Sequence, residues 1–171
     1  MTLTKADWHA RAAALRPETR MFIDGEFVPA RSGATFASIN PATGAVIAEV
    51  ARGDGADVDI AVAAARRAFR DGRWSRLDPR ARMDVMGRFC DLIAAHAEDF
   101  ALLDSLDMGK PVSDMLNIDV PGALSNLRFF AEVVDKMEGA VTNTTASALH
   151  YILRQPLGVC GIVVPWNYPL M

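Results

Sequence analysis

Cysteine is scarce in this chain: there are two, Cys90 and Cys160, far apart and without a Cys-x-x-Cys spacing. That excludes a disulfide framework and a cysteine-based metal site, and it fits a reducing cytoplasm. The three histidines, His9, His96 and His150, show no metal-ligand spacing either. Long apolar runs are missing, since none approaches the roughly 18 residues that a membrane span needs. Blocks of Lys and Arg are missing too. With a net charge of −3, the chain lacks the electrostatic footprint of a nucleic-acid binder. There is no complete dinucleotide fingerprint. Gly53-x-Gly55 begins one, but position 58 is Val, and Asp54 and Asp57 would repel a pyrophosphate. Internal repeats and low-complexity tracts are absent.

The first twenty residues lack the apolar stretch of a secretory signal. They carry Asp7 and Glu18 among their basic residues, and mitochondrial presequences are poor in acids. Trp8, Ala12 and Leu15 fall at helical spacing, so residues 1–20 are expected to form a docked helical arm.

What is present is globular composition, with 51% hydrophobic and 23% charged residues in 171. One compact domain of this length buries roughly 70% of its unfolded surface. The mean hydropathy of +0.13 is high for a lone soluble domain and implies apolar surface meant for something outside the chain.

Met21 to Val28 places apolar residues around Asp24-Gly25, a two-residue hairpin signal because both turn positions take positive φ. Asn40-Pro41-Ala42-Thr43-Gly44 is a second turn, followed by the strand-like Ala45 to Ala48. Helical stripes follow. Val58, Ala61, Val62, Ala65 and Phe69 share a face, with Asp54 or Asp57 as the start and Asp71-Gly72 as the end. Asp78-Pro79 opens the next helix, with Met86, Phe89, Cys90, Ile93 and Ala97 as its buried stripe. A further turn or two of helix runs from Asp99 to the stop Gly109-Lys110-Pro111. The stripe Val120, Ala123, Leu124, Leu127, Phe130, Ala131, Val134 contains Pro121, which demands a kink or a start. Around Leu149 to Arg154 the polarity alternates, as in a strand pair. Gly158 to Val164 is a continuous apolar run, the pattern of a parallel strand buried on both faces. Such a strand needs neighbours on both edges, and no later βα unit supplies them here.

Pro165-Trp166-Asn167 sits just past the carboxyl end of that run, where open α/β sheets bind ligands. Pro fixes the backbone, Trp can wall a pocket, and the Asn amide is a donor that could stabilise an oxyanion. The same residues also suit an ordinary strand-to-helix loop. Cys90, on a helix face, and Cys160, inside an apolar run, read as buried free thiols without an activating base. Asp104 and Asp107, at a helix end, read on spacing alone as solvated carboxylates.

Asn40-Pro41-Ala42-Thr43-Gly44, Leu106-Asp107-Met108-Gly109-Lys110-Pro111 and Pro165-Trp166-Asn167-Tyr168-Pro169 occur in this order, joined by residues 57–66 and 156–161. Together they resemble the aldehyde dehydrogenases from about residue 20 to the last. The Trp8 arm, residues 22–26 and residues 119–123 resemble one branch, the γ-glutamyl-γ-aminobutyraldehyde dehydrogenases of putrescine breakdown. Related aminoaldehyde enzymes often place an extra carboxylate about where Pro121 and Gly122 stand here, so which aldehyde is the substrate stays open.

The resemblance implies an α/β fold with four parts. These are the arm over 1–20, the first part of a Rossmann-like NAD(P)-binding domain over 21–137, an oligomerisation β-hairpin over 138–156, and the first central strand of the cofactor domain over 157–171, in a sheet left incomplete. It also implies NAD(P)-dependent oxidation of an aldehyde to a carboxylate by a homo-oligomeric cytoplasmic enzyme. Asn167 would donate to the oxyanion, and Val163, Val164, Pro165, Trp166 and Asn167 would line the cofactor site. Tyr168 would face the substrate tunnel. Asp107, with backbone near Ser38 and Ile39, resembles a structural monovalent-cation site. The family's cysteine nucleophile, glutamate base and ribose-binding residues lie beyond residue 171, so a chain inactive by itself is expected and NAD against NADP stays open. The rival expectation is a non-catalytic truncated interaction module, or a pseudogene product, that docks through residues 139–155 on full-length subunits.

Overall fold

The computed structural model describes residues 3–171. The architecture is α/β, with small antiparallel sheets, none of them closed, beside a layer of helices. Helix α1 (Lys5–Ala14) begins in a capping box between Thr4 and Asp7. Its Trp8, Ala12 and Leu15 share a half-buried face, and Arg11 forms an ion pair with Glu98.

Strands β1 (Met21–Ile23) and β2 (Glu26–Val28) form the first hairpin, as the sequence predicts. Asp24 and Gly25 take φ of 55° and 87°, the two positive values that such a turn requires. The second hairpin joins β3 (Thr35–Ile39) to β4 (Val46–Ala51), with a register shift at Ser38/Ile39. Asn40 organises its turn: its carbonyl accepts the Gly44 N–H at 2.8 Å and its side chain accepts the Ala42 N–H at 2.9 Å.

Helix α2 (Gly55–Asp71) starts in a second capping box and ends at Gly72 in the left-handed conformation. The Asp54 side chain accepts the N–H groups of Ala56 and Asp57, and the Asp57 side chain accepts that of Asp54. These carboxylates fill the helix terminus that a phosphate would need. The predicted apolar stripe of α2 is only partly covered: Val58 and Ala65 are exposed, whereas Asp57 and Ala64 are buried.

Helix α3 (Pro79–Ala95) has Pro at its start, with Asp78 flanking it but making no side-chain cap. Cys90 and Ile93 are its buried residues, and Phe89 is exposed. Helix α4 (Ala97–Met108) is longer than the turn or two expected from Asp99 and ends at Gly109, again left-handed. Helix α5 (Val112–Asp114) then runs without a break into a π-helical turn (Met115–Asp119) and on into α6 (Val120–Glu132). Pro121 lies in the first turn of α6, where its missing N–H is tolerated. The π turn ahead of it absorbs the mismatch, so the helical path continues instead of breaking. The small residues Ala123 and Ala131 are buried on α6, which packs against α3. Ala101, Met115 and Val120 form the core where α4, the π turn and α6 meet, with Phe100, Leu124 and Leu170 packed around them.

Strands β5 (Ala140–Thr142) and β6 (His150–Ile152) make the third hairpin, and both their faces are largely exposed.

The expected buried strand over 159–164 does not form. These residues pair with no strand, and Ile162 and Val163 are exposed. Cys160 is exposed rather than buried for the same reason. An apolar run becomes a strand only when a ladder partner satisfies its backbone groups, and no described segment offers one. The sheet is thus left incomplete, as expected, and only the strand over 159–164 is missing from the expected elements. Among them, no helix is long and apolar enough to cross a membrane.

Candidate active site

Three turns separated widely in sequence meet in space: Asn40–Gly44, Asp107–Pro111 and Pro165–Pro169. The first two touch directly. Gly109 has a φ of +82°, and a Cβ built there would lie 2.9 Å from Pro41 Cγ. Any other residue would be strained by its backbone and crowded by Pro41. Just before it, the Ser38 hydroxyl donates to Asp107 Oδ1 at 2.6 Å. The structure thus brings together two of the three residues expected at a cation site. Ile39 follows at the register shift, with its side chain exposed. Among the described residues, no group of three or more His, Cys, Asp or Glu side chains could hold a metal.

Above Ser38 and Asp107 opens a cleft of about 340 Å³, lined among others by Glu18, Phe36, Leu103 and Asp104. Asp104 is the unusual member. One of its carboxylate oxygens is buried without a hydrogen-bond partner. Burial, reinforced by the charges of Asp107 and Asp119, pushes its carboxyl up to about 6, against the opposing influence of the Leu170 N–H.

The third turn lies on the floor made by α4, the π turn and α6. The Tyr168 N–H donates to the Pro165 carbonyl at 3.4 Å, which closes a turn with Trp166 and Asn167 at its centre. Leu170 packs into the core at Met115 and Val120. Met171 lies against Gly122, where a side chain would collide with it. The Tyr168 ring sits under Lys110, whose ammonium is 4.6 Å from the ring centroid. Lys110 in turn donates to both oxygens of Asp119, at 2.7 and 2.6 Å, and Asp119 is 1% exposed. That pairing holds the Lys110 ammonium above its ordinary range.

The predicted site residues therefore divide into two groups. Asn167 is half-buried and Tyr168 is anchored to Lys110, whereas Val163 and Trp166 are 99% and 79% exposed, with Val164 and Pro165 also open. Cys90 is fully buried and remote from the turn, on α3. Lys110, Asp119 and Leu170 were not singled out as site residues from the sequence. One signal was available. Asp119 falls on the same helical face as Met115, Ala123 and Leu116, and a carboxylate on an apolar stripe needs a buried partner.

With this geometry in place, comparison with known proteins identifies the class. The model of the aldehyde dehydrogenase family matches residues 27–171, and the chain belongs to that family. Its relatives include the NADP/NAD-dependent aldehyde dehydrogenase PuuC of Escherichia coli strain K12, 43% identical over 97% of this chain and 34% of that protein. The aminoacetaldehyde dehydrogenase of Pseudomonas aeruginosa is also 43% identical, over 99% of this chain and 34% of its own length. Among solved structures, a mutant of the P. syringae indole-3-acetaldehyde dehydrogenase AldA, in complex with NAD+ and IAA, superimposes with a TM-score of 0.96. It shares 48% identity and covers 99% of this chain and 34% of that one. The γ-glutamyl-γ-aminobutyraldehyde dehydrogenase of Burkholderia cenocepacia J2315 gives a TM-score of 0.95 at 46% identity, over 98% of this chain and 34% of its own. The chain spans about a third of the length of these relatives.

Proposed function

We propose that this chain is the amino-terminal part of a cytoplasmic, homo-oligomeric enzyme that oxidises an aldehyde to a carboxylic acid with NAD or NADP. The observation that carries the reading is the seating of the turn 165–168 on the α4–α6 floor, with Asn167 at its centre. An amide N–H₂ held there donates to the oxygen of an aldehyde under attack. A donor fixed in advance stabilises the developing oxyanion without reorganisation at the moment of reaction. Tyr168, held under Lys110, forms one wall beside the substrate.

The exposed apolar surface of Val163, Val164, Pro165 and Trp166 suits the flat nicotinamide end of a dinucleotide. The described residues offer no glycine-bearing phosphate turn, since Asp54 and Asp57 occupy the α2 terminus. These residues therefore fit one edge of the cofactor. A nicotinamide held there by Val163, Val164, Pro165 and Trp166 would supply the hydride acceptor for the oxidation.

Aminoaldehydes are the favoured substrate class, and γ-glutamyl-γ-aminobutyraldehyde is the leading member, by likeness to relatives that carry those names. The hairpin β5–β6, with Val141, Leu149 and Tyr151 exposed, is the proposed contact between subunits. Asp107 and Ser38 are proposed to support a structural monovalent cation. The 171-residue chain by itself is expected to show no turnover, because neither cysteine meets a base: Cys90 is buried, and the Cys160 Sγ lies against the Gly158 carbonyl. An assay for aldehyde-dependent NAD(P)H formation tests the reading. The expected result is activity from a full-length protein carrying this chain and none from residues 1–171. A full-length protein inert toward aldehydes of every class would overturn it.

A further inference from the structure

The turn that carries Asn167 needs a reason to stay in one place. Its own backbone gives little, since one long hydrogen bond at 3.4 Å closes it. Beyond the turn Met171 lies against Gly122 and the Leu170 N–H meets the Asp104 carboxylate, and two further side-chain contacts tie the turn to the helices. Leu170 enters the core, which fixes the turn's distal end. Tyr168, next to Asn167, meets Lys110 alone among the described cations, and Lys110 is itself immobilised by both oxygens of a carboxylate that is almost fully buried.

We propose that Lys110 and Asp119 are positioning residues for the active-site turn, and that the ammonium, gripped by Asp119, clamps the Tyr168 ring and so sets Asn167 against the substrate carbonyl.

The geometry has a physical logic. A lysine side chain is flexible, and a cation over an aromatic ring holds it weakly when the cation can swing away. The bidentate contact with Asp119 removes that freedom. Asp119 can supply it because it sits in the π turn with its side chain almost fully buried, so both carboxylate oxygens are left to the ammonium. Gly109, left-handed at the end of α4, turns the chain so that Lys110 leaves the helix toward Asp119 and not along the axis. The positive end of the pair is the only part that meets the turn. Neither residue is placed to touch the reacting atoms, so the effect passes through Tyr168.

This inference rests on the proposed role of Asn167, and its test separates the two. In a full-length protein carrying this chain, amide hydrogen exchange is measured for the wild type and for K110M/D119N, Y168L, K110R and Y168F. The paired substitution K110M/D119N removes both charges, so that no lone carboxylate is left buried. Exchange over residues 165–171 is expected to quicken about tenfold in K110M/D119N and in Y168L. It should stay within about threefold of wild type in K110R and Y168F, which keep a cation and a ring. In parallel, kcat for the aldehyde should fall about tenfold in the first two variants, with NAD+ binding unchanged. Unchanged exchange in K110M/D119N would overturn the inference. So would a uniform rise across the helices without an excess at 165–171, since the pair would then hold only the helices. If exchange rises as expected while Asn167→Ala leaves kcat intact, the clamp stands and the catalytic reading of Asn167 fails.

Discussion

Lys110 Nζ lies 2.7 and 2.6 Å from the two oxygens of Asp119, across the junction where α4 hands the chain to the π turn. One partner is nearly inaccessible and the other is about one-fifth exposed. A pair of this kind adds little to stability as a whole, yet each member becomes costly when left alone. Lys110→Met, which strands the buried Asp119 carboxylate, is therefore expected to destabilise the protein clearly more than K110M/D119N does. Chemical denaturation of the two variants checks the order. Equal losses would show that Asp119 finds another partner.

Asp57 stands in a similar position at the other end of the molecule. It is buried, and its carboxylate accepts the Asp54 N–H at 3.0 Å and the Arg31 N–H at 3.1 Å, which ties α2 to the segment between the first two hairpins. Asp57→Ala leaves two donors short of a partner and should cost roughly 2–3 kcal/mol. Asp54→Ala, at an exposed cap, should cost about 1 kcal/mol. Thermal unfolding of both variants gives the comparison, and a larger loss at Asp54 would contradict it.

Asp104 makes stability depend on pH. Its folded-state carboxyl titrates near 6, above the ordinary 3.8, because it is partly buried beside Asp107 and Asp119. The folded state therefore holds this proton more tightly than the unfolded one, and the contribution to stability is full below pH 3.8. It falls away as pH rises from there to about 6, and above that the charged group is a constant penalty. Asp104→Asn removes the penalty. At pH 8 it should stabilise by roughly 1 kcal/mol, discounted for partial exposure, or about 2–4 °C in Tm. Near pH 4 the two proteins should melt together. A pH-independent difference would assign the effect to packing instead.

The isolated 171-residue chain exposes Leu149, Leu153, Leu157, Ile162 and Val163 along its last third. Each such side chain forgoes roughly 1.5–3 kcal/mol of burial, against a net domain stability of about 5–15 kcal/mol. Association is expected, with sedimentation velocity showing species larger than a monomer that grow with concentration. A monomer with one sharp calorimetric transition would contradict this.

Local signals were the most legible part of the sequence. Asp24-Gly25, Asn40 to Gly44 and Asp78-Pro79 each name a backbone conformation that few other residues satisfy, and the structure has hairpins or a helix start at all three. Gly72 and Gly109 mark helix ends in the same way. The apolar patterns were less faithful. Those of α2 and of residues 159–164 describe surfaces that want a covering layer, and periodicity cannot report whether that layer lies in the same chain. At the site, the turn 165–168 was recognisable by its residue types, but its anchor was not. Lys110 reads as part of a helix stop, and its role depends on Asp119, nine positions on, whose place on an apolar stripe signals a buried partner without naming which one. Asp104 reads as a solvated carboxylate, and its partial burial in the folded chain is a matter of packing that spacing does not report.

The central claim concerns Asn167, and steady-state kinetics of Asn167→Ala in a full-length protein carrying this chain tests it most directly. The expected result is a fall in kcat of about 10²–10³, equivalent to roughly 3–4 kcal/mol of lost transition-state stabilisation, with NAD+ binding little changed. A kcat within a few-fold of wild type would contradict it and leave Asn167 as a residue of an ordinary loop.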